Sequence, residues 1–406
     1  MKSFLPALFV SLLFFAQNVV AESCWQWRQQ ATEALQRGDY SASLPPLIAA
    51  HNALTCGDDI PSHIAETYLA IGFEALRGGD LEKAQEAFTN GGDYSSDDGR
   101  FPFYRGVTLL RGNDLIAAES ALQEARNLDG DSPELQHLLG QVAYREGRLA
   151  EAEALLAEAS AARPGNSALS ELLAKVKRER LIEEGMEQTE GGNFSLSFDT
   201  HVTGKIGRET LEVLDDAYND LGALFSHYPH FRVPVLLYSR RDFVMATAAP
   251  DWSGGLYDGK IRVPIGGLDT MTPRLRQILY HEFAHVVTRD LAGRHLPLWL
   301  NEGIAEAFSG EYCDVAQKPV ARENLLPFSR IERGLEGLTT SEVDQAYRQS
   351  RALVRSIVDR YGWFLVADLL RLLGQGTPLD TAIASIFSEE GLNAELLIHR
   401  WQQTLP

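Results

Sequence analysis

The chain is organised around one stretch, Leu279-Tyr-His-Glu-Phe-Ala-His-Val-Val-Thr288. On an α-helix, side chains four residues apart project from the same face, so His281 and His285 can offer two imidazole nitrogens to one ion. Glu282 lies beside them, within reach of a water molecule at that ion without being a ligand itself. Zinc in catalytic sites takes three protein ligands and keeps a fourth position for water. One further ligand is therefore expected from elsewhere in the chain.

The residues around this stretch predict a buried helix. Thr272 is a favourable N-cap, and Pro273 suits the first helical position. Apolar side chains then recur at helical spacing, at Leu275, Ile278, Leu279, Phe283 and Val286. Two histidines and a glutamate on so buried a helix are costly without partners, and metal ligation offsets that cost. A pair of core histidines that hydrogen-bond to other groups is the alternative interpretation.

A second stretch, Trp299-Leu-Asn-Glu-Gly-Ile-Ala-Glu306, supplies a candidate for the missing ligand. It follows Pro297 and is helix-like, with Glu302 near its start. Glu306 lies one turn beyond Glu302, where it would accept a hydrogen bond from the free nitrogen of a histidine ligand. Such support from a neighbouring carboxylate is the usual companion of a zinc site.

These two blocks resemble those of a known family. His281-Glu282-x-x-His285, followed by Asn301-Glu302-Gly303-x-Ala305, resembles the gluzincin zinc metallopeptidases. The spacing fits the bacterial peptidase-MA-like branch, whose members often carry tetratricopeptide repeats. The resemblance covers roughly Asn193 to Gln403. It implies Zn²⁺ as the cofactor, with ligands His281, His285 and Glu302, catalytic base Glu282, and Glu306 as the carboxylate that supports a ligand.

Two further segments gain a role only from this resemblance. Residues 345–354 form a further candidate block. In the family, a tyrosine before a helix of this kind donates a hydrogen bond to the oxyanion, and the resemblance implies that role for Tyr347. An ordinary half-buried tyrosine is the alternative. The hairpin from Gly254 to Pro264 resembles, in place and order, the edge strand along which these enzymes lay a substrate backbone.

The N-terminal half has a period of 34 residues. The same spacing separates three sets of positions: Gly72, Gly106 and Gly140; Ala84, Ala118 and Ala152; and Phe88, Leu122 and Leu156. This pattern resembles the tetratricopeptide repeat, a helix–turn–helix unit of that length. The segment from Trp25 to Leu54 is out of register and is predicted to be a divergent cap. Such stacks present a concave surface to a protein or peptide partner; a scaffold that only positions the rest of the chain is the alternative.

The segments between the repeats and the histidine helix predict a small mixed sheet. Asn193–Asp199 alternates apolar and polar residues as a half-buried strand does, Arg232–Tyr238 is a second strand, and Asp258-Gly259 turns a hairpin. Pro234 suggests an edge or irregular position for the second strand. The predicted fold class is α+β. An all-α helical-repeat solenoid at residues 22–185 precedes a gluzincin-like domain at residues 186–406, which has the small sheet and a mostly helical C-terminal part.

The first residues predict export. Lys2 is followed by an apolar run, and Val19-Val20-Ala21 suits cleavage after Ala21, so residues 1–21 are predicted to be a signal peptide. We therefore expect a periplasmic or secreted product without a stable membrane anchor; an uncleaved anchor is the alternative. The net charge of -19 argues against non-specific nucleic-acid binding. Export permits a disulfide, and Cys24 and Cys56 could pair; three unpaired thiols are the alternative.

The resemblance and the residues together predict a zinc metallopeptidase that hydrolyses peptide bonds in exported proteins or peptides. Its repeats would bind the substrate or a protein partner. Two alternatives stay open: a non-catalytic periplasmic chaperone or assembly factor with a vestigial peptidase domain, and a structural adaptor without metal. No acidic subsite for a free amine is identifiable near the predicted ligands, which favours endopeptidase over aminopeptidase action.

Overall fold

The computed structural model describes residues 23–53, 56–199, 204–249, 254–293, 296–313, 319–332, 334–335 and 337–406. The predicted signal peptide lies outside these residues. The chain divides into two compact units, Met1–Leu169 and Ser170–Pro406. Within the described ranges, no helix is both long enough and apolar enough to cross a membrane.

The first unit consists of paired helices. Its helices are α1 (23–36), α2 (Tyr40–Asn52), α3 (Ile60–Gly78), α4 (Leu81–Tyr94), α5 (Arg100–Arg111), α6 (Leu115–Asp129), α7 (Pro133–Arg145) and α8 (Leu149–Ala162). The 34-residue period reflects close packing between the two helices of a pair. A Cβ added at Gly72 would lie 2.4 Å from a ring carbon of Phe88, and one added at Gly106 would lie 2.7 Å from Leu122 Cγ. A larger residue at these glycines would therefore force the two helices apart.

Polar contacts at the helix ends also repeat with this period. Asp80 and Asp114 each accept a hydrogen bond from a backbone N–H in the first turn of α4 and α6, at 3.0 and 3.2 Å. Arg145 donates at 2.7 Å to the carbonyl of Leu110, which lies near the end of α5. Because Arg145 belongs to the next pair, its hydrogen bond joins neighbouring repeats.

The cysteine alternatives are resolved in this unit. Cys24 and Cys56 form a disulfide whose Cα atoms are 5.3 Å apart. The bridge ties α1 to the segment that precedes α3. Cys313, in the second unit, is a free thiol.

The second unit contains a five-stranded mixed sheet and the remaining helices. Its first elements are α9 (Ser167–Glu183, which begins within the first unit), β1 (Glu187–Gly191), β2 (Phe194–Phe198), α10 (Gly204–Phe225), β3 (Val233–Tyr238), α11 (Arg240–Thr247), β4 (Leu256–Tyr257) and β5 (Ile261–Pro264). The helical part follows: α12 (Pro273–Ala292), α13 (Leu298–Tyr312), α14 (Phe328–Glu332), α15 (Thr340–Tyr361), α16 (Trp363–Gly374), α17 (Leu379–Ile386) and α18 (Ala394–Thr404). The α+β class is therefore confirmed.

The strand order is β1-β2-β3-β5-β4, with β2, β3 and β5 parallel and the two outer strands antiparallel to their neighbours. The edge position suggested by Pro234 is wrong, because β3 lies in the middle of the sheet. The proline is tolerated because β3 pairs with β5 only from Val235 onward, so Pro234 is opposed by Ser195 of β2 alone. β4 is an edge strand.

One face of the sheet packs on the main core of this unit. Buried side chains of β2, β3 and β5 contact those of α10 and α12, and the core continues through α13, α15 and α16. Gly303 allows an especially close approach between α13 and α15. A Cβ at this position would lie 2.5 Å from the carbonyl oxygen of Ser350. This crossing brings α15 next to the face of α13 that carries Glu302 and Glu306.

A cluster of buried charges occupies the other face of the sheet. Arg262 of β5 is fully buried, and its Nη2 lies 2.6 Å from Glu179 Oε2 of α9. Arg262 Nε is 3.2 Å from Asp258 Oδ1, and Lys260 Nζ is 3.4 Å from Glu183 Oε2. Burial opposes the charged form of Glu183, but Lys260 and Arg262 outweigh it and lower the pKa of Glu183. The predicted boundary after residue 185 places α9 with the repeats, whereas its two glutamates pair with β5.

Arg262→Met is expected to lower the free energy of unfolding by about 3–5 kcal/mol, because Glu179 and Glu183 would stay buried with too little compensating charge. Urea unfolding of the whole protein, followed by circular dichroism, measures the change. Arg232→Met is the matched control. Its ion pair with Glu190 is exposed, so it should cost less than about 1 kcal/mol. Equal destabilisation by the two variants would contradict this explanation.

Candidate metal centre

Helices α12 and α13 bring three donor atoms together. His281 Nε2 and His285 Nε2 are 3.1 Å apart, and each lies 3.5 Å from Glu302 Oε2. The histidines meet because they are one turn apart on the buried α12, whose start is fixed by the Thr272 side chain accepting from Leu275 N. The three predicted ligand residues therefore lie at one point, although Glu302 belongs to a different helix.

The spacing of these atoms fits a tetrahedral zinc ion. Bonds of 2.0–2.1 Å at tetrahedral angles place neighbouring ligand atoms about 3.3 Å apart. The observed separations of 3.1 and 3.5 Å bracket that value. Two imidazole nitrogens and one carboxylate oxygen are also a donor set that zinc accepts in catalytic sites. Among the described residues, His281, His285 and Glu302 are the group of His, Cys, Asp and Glu side chains that is placed to hold an ion.

Further side chains orient the three donors. Glu306 Oε1 lies 3.3 Å from His281 Nδ1, the ring nitrogen that faces away from the donor triangle. Thr288 donates to Asn301 Oδ1 at 2.9 Å, and Asn301 Nδ2 lies 3.5 Å from Glu302 Oε1. Both contacts hold the Glu302 carboxylate toward α12. Carboxylates and amides placed in this way fix the orientation of metal ligands.

The charges in this cluster depend strongly on one another. Burial disfavours the imidazolium of His281, but the Glu302 and Glu306 carboxylates outweigh it and raise the pKa of His281 well above its usual value. Burial would raise the pKa of Glu302, yet His285 and His281 hold it far below the usual range. Glu302 is therefore a carboxylate in the folded protein, as a metal ligand must be.

Glu282 is buried next to the donor triangle but does not belong to it. Burial raises the pKa of its carboxyl group, against the opposing effect of His281 and His285. The carboxylate lies against the backbone just before β4. A Cβ added at Gly255 would come within 2.5 Å of Glu282 Oε1. Only glycine allows the edge strand to approach Glu282 this closely.

Tyr347 also lies beside the centre. Its ring centroid is 6.4 Å from that of His281, and the two rings are nearly perpendicular. Burial, followed by the charge of Glu302, raises the pKa of the Tyr347 hydroxyl, which therefore stays protonated and able to donate. The residue lies inside α15, in its second to third turn, rather than before a helix as the resemblance implied.

Two family matches cover separate parts of the chain. Residues 234–406 match the Peptidase MA superfamily, and residues 109–176 match the tetratricopeptide repeat. The chain joins tetratricopeptide repeats to a Peptidase MA superfamily domain. The predicted fusion is thereby confirmed. A search of curated proteins finds no match.

Several solved structures resemble part of the chain. The first tetratricopeptide domain of human RPAP3 is 21% identical and covers 29% of this chain and 91% of its own, with a TM-score of 0.28. The second such domain of human RPAP3, in complex with an HSP70 peptide, is 25% identical, with coverages of 29% and 98% and a TM-score of 0.28. TTC0263, a tetratricopeptide protein of Thermus thermophilus, is 20% identical, with coverages of 38% and 98% and a TM-score of 0.23.

Two residues of the Peptidase MA superfamily domain escaped the sequence analysis. The sequence marks the hairpin from Gly254 to Pro264 as a unit, and the consecutive glycines were the only available signal for Gly255. Arg351 of α15 lies near Glu306, whose charge acts on it. Nothing in the local sequence distinguishes Arg351 from the other arginines of this helix, because its position depends on the packing of α15 on α13.

Proposed function

We propose that the second unit is a zinc-dependent peptidase that hydrolyses peptide bonds in exported proteins or peptides, and that the repeats bind its substrate or a protein partner. The observation that carries this proposal is the triangle of His281, His285 and Glu302 donor atoms, with the Glu282 carboxylate beside it. The match of residues 234–406 to the Peptidase MA superfamily supports the same class of reaction.

His281, His285 and Glu302 would hold the ion, and Glu306 would keep the His281 ring in place. When bound, zinc acts as a Lewis acid that polarises a carbonyl group and makes water a nucleophile at neutral pH. Glu282 takes a proton from the attacking water at a carboxylate oxygen and then passes it to the amine that leaves. Burial raises the pKa of Glu282, which makes its carboxylate the stronger proton acceptor.

Two other parts of the domain serve the substrate in this proposal. The Tyr347 hydroxyl, which stays protonated, donates to the oxyanion that develops on the substrate carbonyl. β4 is the outer strand of the sheet next to Glu282, and the substrate backbone would lie along it as an added strand. The contact between Gly255 and Glu282 would then place the scissile bond next to the proton acceptor.

The proposed location is the periplasm or the exterior of the cell. The leader-like residues 1–21 support export, and the Cys24–Cys56 disulfide is of a kind that forms and persists in oxidising compartments. The repeats would present a substrate or partner to the exported enzyme. Tetratricopeptide repeats commonly bind other proteins, which supports this role for the first unit.

Metal analysis and a peptide library test the proposal together. Purified protein should contain one zinc ion per chain and cleave members of a broad peptide library, with mass spectrometry locating the bonds. A chelator should remove both the metal and the activity, and added zinc should restore them. A zinc-loaded protein that cleaves nothing would contradict the peptidase proposal and favour a chaperone or assembly factor. A protein without metal would favour an adaptor.

Gly255→Ala is expected to lower kcat/KM for peptide hydrolysis by about 10²-fold while the zinc content stays the same. The added methyl group would push the Glu282 carboxylate away from its position, and a displacement of about 1 Å has an effect of this size. Gly185→Ala is the control, because a Cβ there meets nothing within 4 Å. Loss of zinc in Gly255→Ala would show that the substitution disturbs more than Glu282.

A further inference from the structure

One arginine beside the candidate metal centre differs from the others of its helix. On α15, Arg348, Arg355 and Arg360 form ion pairs with Asp344, Asp359 and Glu390 at 3.0, 2.6 and 3.3 Å. Arg355 also pairs with Glu311 of α13. Among the residues that the structure describes, no carboxylate lies within ion-pair distance of Arg351. Its Nε is buried and has no hydrogen-bond partner there.

Arg351 lies close to the reacting groups of the proposed enzyme. It follows Tyr347 by one turn of α15, so the two side chains share a helix face. Tyr347 contacts the His281 ring, and Glu306, the acidic group that acts on Arg351, lies 3.3 Å from His281. Arg351 is therefore on the α15 side of the centre, about one helical turn from the oxyanion position proposed for Tyr347.

A role in holding Glu306 in place does not by itself explain the position of Arg351. A guanidinium that held Glu306 in place would form an ion pair with it, as Arg355 does with Glu311 one turn further along the two helices. Burial lowers the pKa of Arg351, and the Glu306 charge only partly offsets that effect. A half-buried cation with an unused donor is costly unless a ligand completes its hydrogen bonds.

We propose that Arg351 binds a carboxylate of the substrate and so makes the enzyme selective for peptides that carry one on the α15 side of the scissile bond. The planar guanidinium matches a carboxylate through two parallel hydrogen bonds. The carboxylate comes either from the C-terminus of a short peptide or from an Asp or Glu side chain. This inference rests on the proposed peptidase function, whose substrate class it specifies.

Binding measurements test the selectivity without depending on catalysis. In the zinc-loaded Glu282→Gln protein, fluorescence anisotropy gives Kd for alanine-based hexapeptides in matched pairs: free acid against C-terminal amide, and Glu against Gln at successive positions. In at least one pair, we expect the anionic peptide to bind at least about tenfold more tightly than its neutral counterpart, as for a hydrogen-bonded charge pair. The pair that shows the preference identifies the source of the carboxylate.

Three variants in the same background assign the preference to Arg351. Arg351→Met should bring the ratio of the two Kd values close to one, and Arg351→Lys should keep part of it because the charge stays but the planar fork is lost. Arg348→Met, which removes an arginine already paired with Asp344, should keep the full preference. Zinc content and circular dichroism of each variant confirm that the domain is folded.

The outcomes separate this inference from the proposed function. Equal binding of every acidic and neutral pair, or a preference that survives Arg351→Met, overturns the role of Arg351, whether or not the wild-type protein cleaves peptides. An Arg351→Met protein that weakens the binding of all peptides equally also overturns it, because Arg351 would then only support Glu306. A preference that depends on Arg351 in a protein whose wild type cleaves nothing supports the site and refutes the peptidase.

Discussion

Glu282→Gln is expected to keep one zinc ion per chain and to lose peptide hydrolysis by a factor on the order of 10² to 10⁴, the usual contribution of a general acid–base group. The amide has nearly the same shape as the carboxylate but cannot accept a proton from water. Glu282 does not belong to the donor triangle, since the three close contacts join only His281, His285 and Glu302. The substitution therefore separates proton transfer from metal binding.

Two measurements on the same preparation test this prediction. Metal analysis gives the zinc content, and initial rates on a cleaved library peptide give kcat/KM. Glu311→Gln is the control, because Glu311 lies on α13 in an exposed ion pair with Arg355, away from the donor atoms. It should change neither quantity appreciably. A Glu282→Gln enzyme with full activity would rule out the proposed mechanism.

The helical repeats could be predicted because their packing constraint is local. Gly72 packs on Phe88 of the paired helix, sixteen residues later, and the same contact recurs one repeat further on between Gly106 and Leu122. A side chain at either glycine would separate the two helices, so the small and large residues appear in the sequence at fixed offsets. The disulfide was different. The sequence permitted a Cys24–Cys56 pair, but the choice between pairing and free thiols required the path of the chain.

The candidate metal centre was predictable to the extent that helix geometry determines it. The four-residue spacing of His281 and His285 places both rings on one face of α12 whatever the rest of the fold does. The approach of Glu302 depends on how α13 crosses α12, and only the family resemblance supplied that information. The position of Tyr347 was harder still to predict from the sequence, because its place beside His281 depends on the close crossing of α13 and α15 at Gly303.

Arg351, Pro234 and α9 show where sequence reasoning stops. Pro234 suggested an edge or irregular position by a rule about missing N–H groups; β3 is a central strand, and Pro234 lies where β3 has a partner on one side only. The predicted repeat solenoid at residues 22–185 includes α9. Its Glu179 and Glu183 are buried against β5, because two opposite charges that are distant in the sequence, Arg262 and Lys260, compensate them. Such pairings are long-range and leave no periodic trace in the sequence.

Glu302→Ala is expected to abolish stable zinc binding and, with it, all peptide hydrolysis. Two imidazoles 3.1 Å apart would remain, which is one protein ligand fewer than catalytic zinc sites use. Glu306→Ala provides the comparison. Glu306 contacts the outward nitrogen of His281 and is not one of the three donors, so its loss should weaken zinc binding by about 10- to 100-fold and leave measurable activity at high zinc.

Competition with a chelator of known affinity measures the zinc affinity of both variants. Thermal unfolding with and without zinc gives an independent measurement. A ligand that binds only the folded state stabilises it more the more tightly it binds. Added zinc should therefore raise the Tm of the wild type most, raise the Tm of Glu306→Ala less, and leave the Tm of Glu302→Ala unchanged. If Glu302→Ala binds zinc as tightly as the wild type, the carboxylate is not a ligand. The 3.5 Å contacts would then be hydrogen bonds between Glu302 and protonated histidines, and the centre would be an ion-pair cluster rather than a metal site.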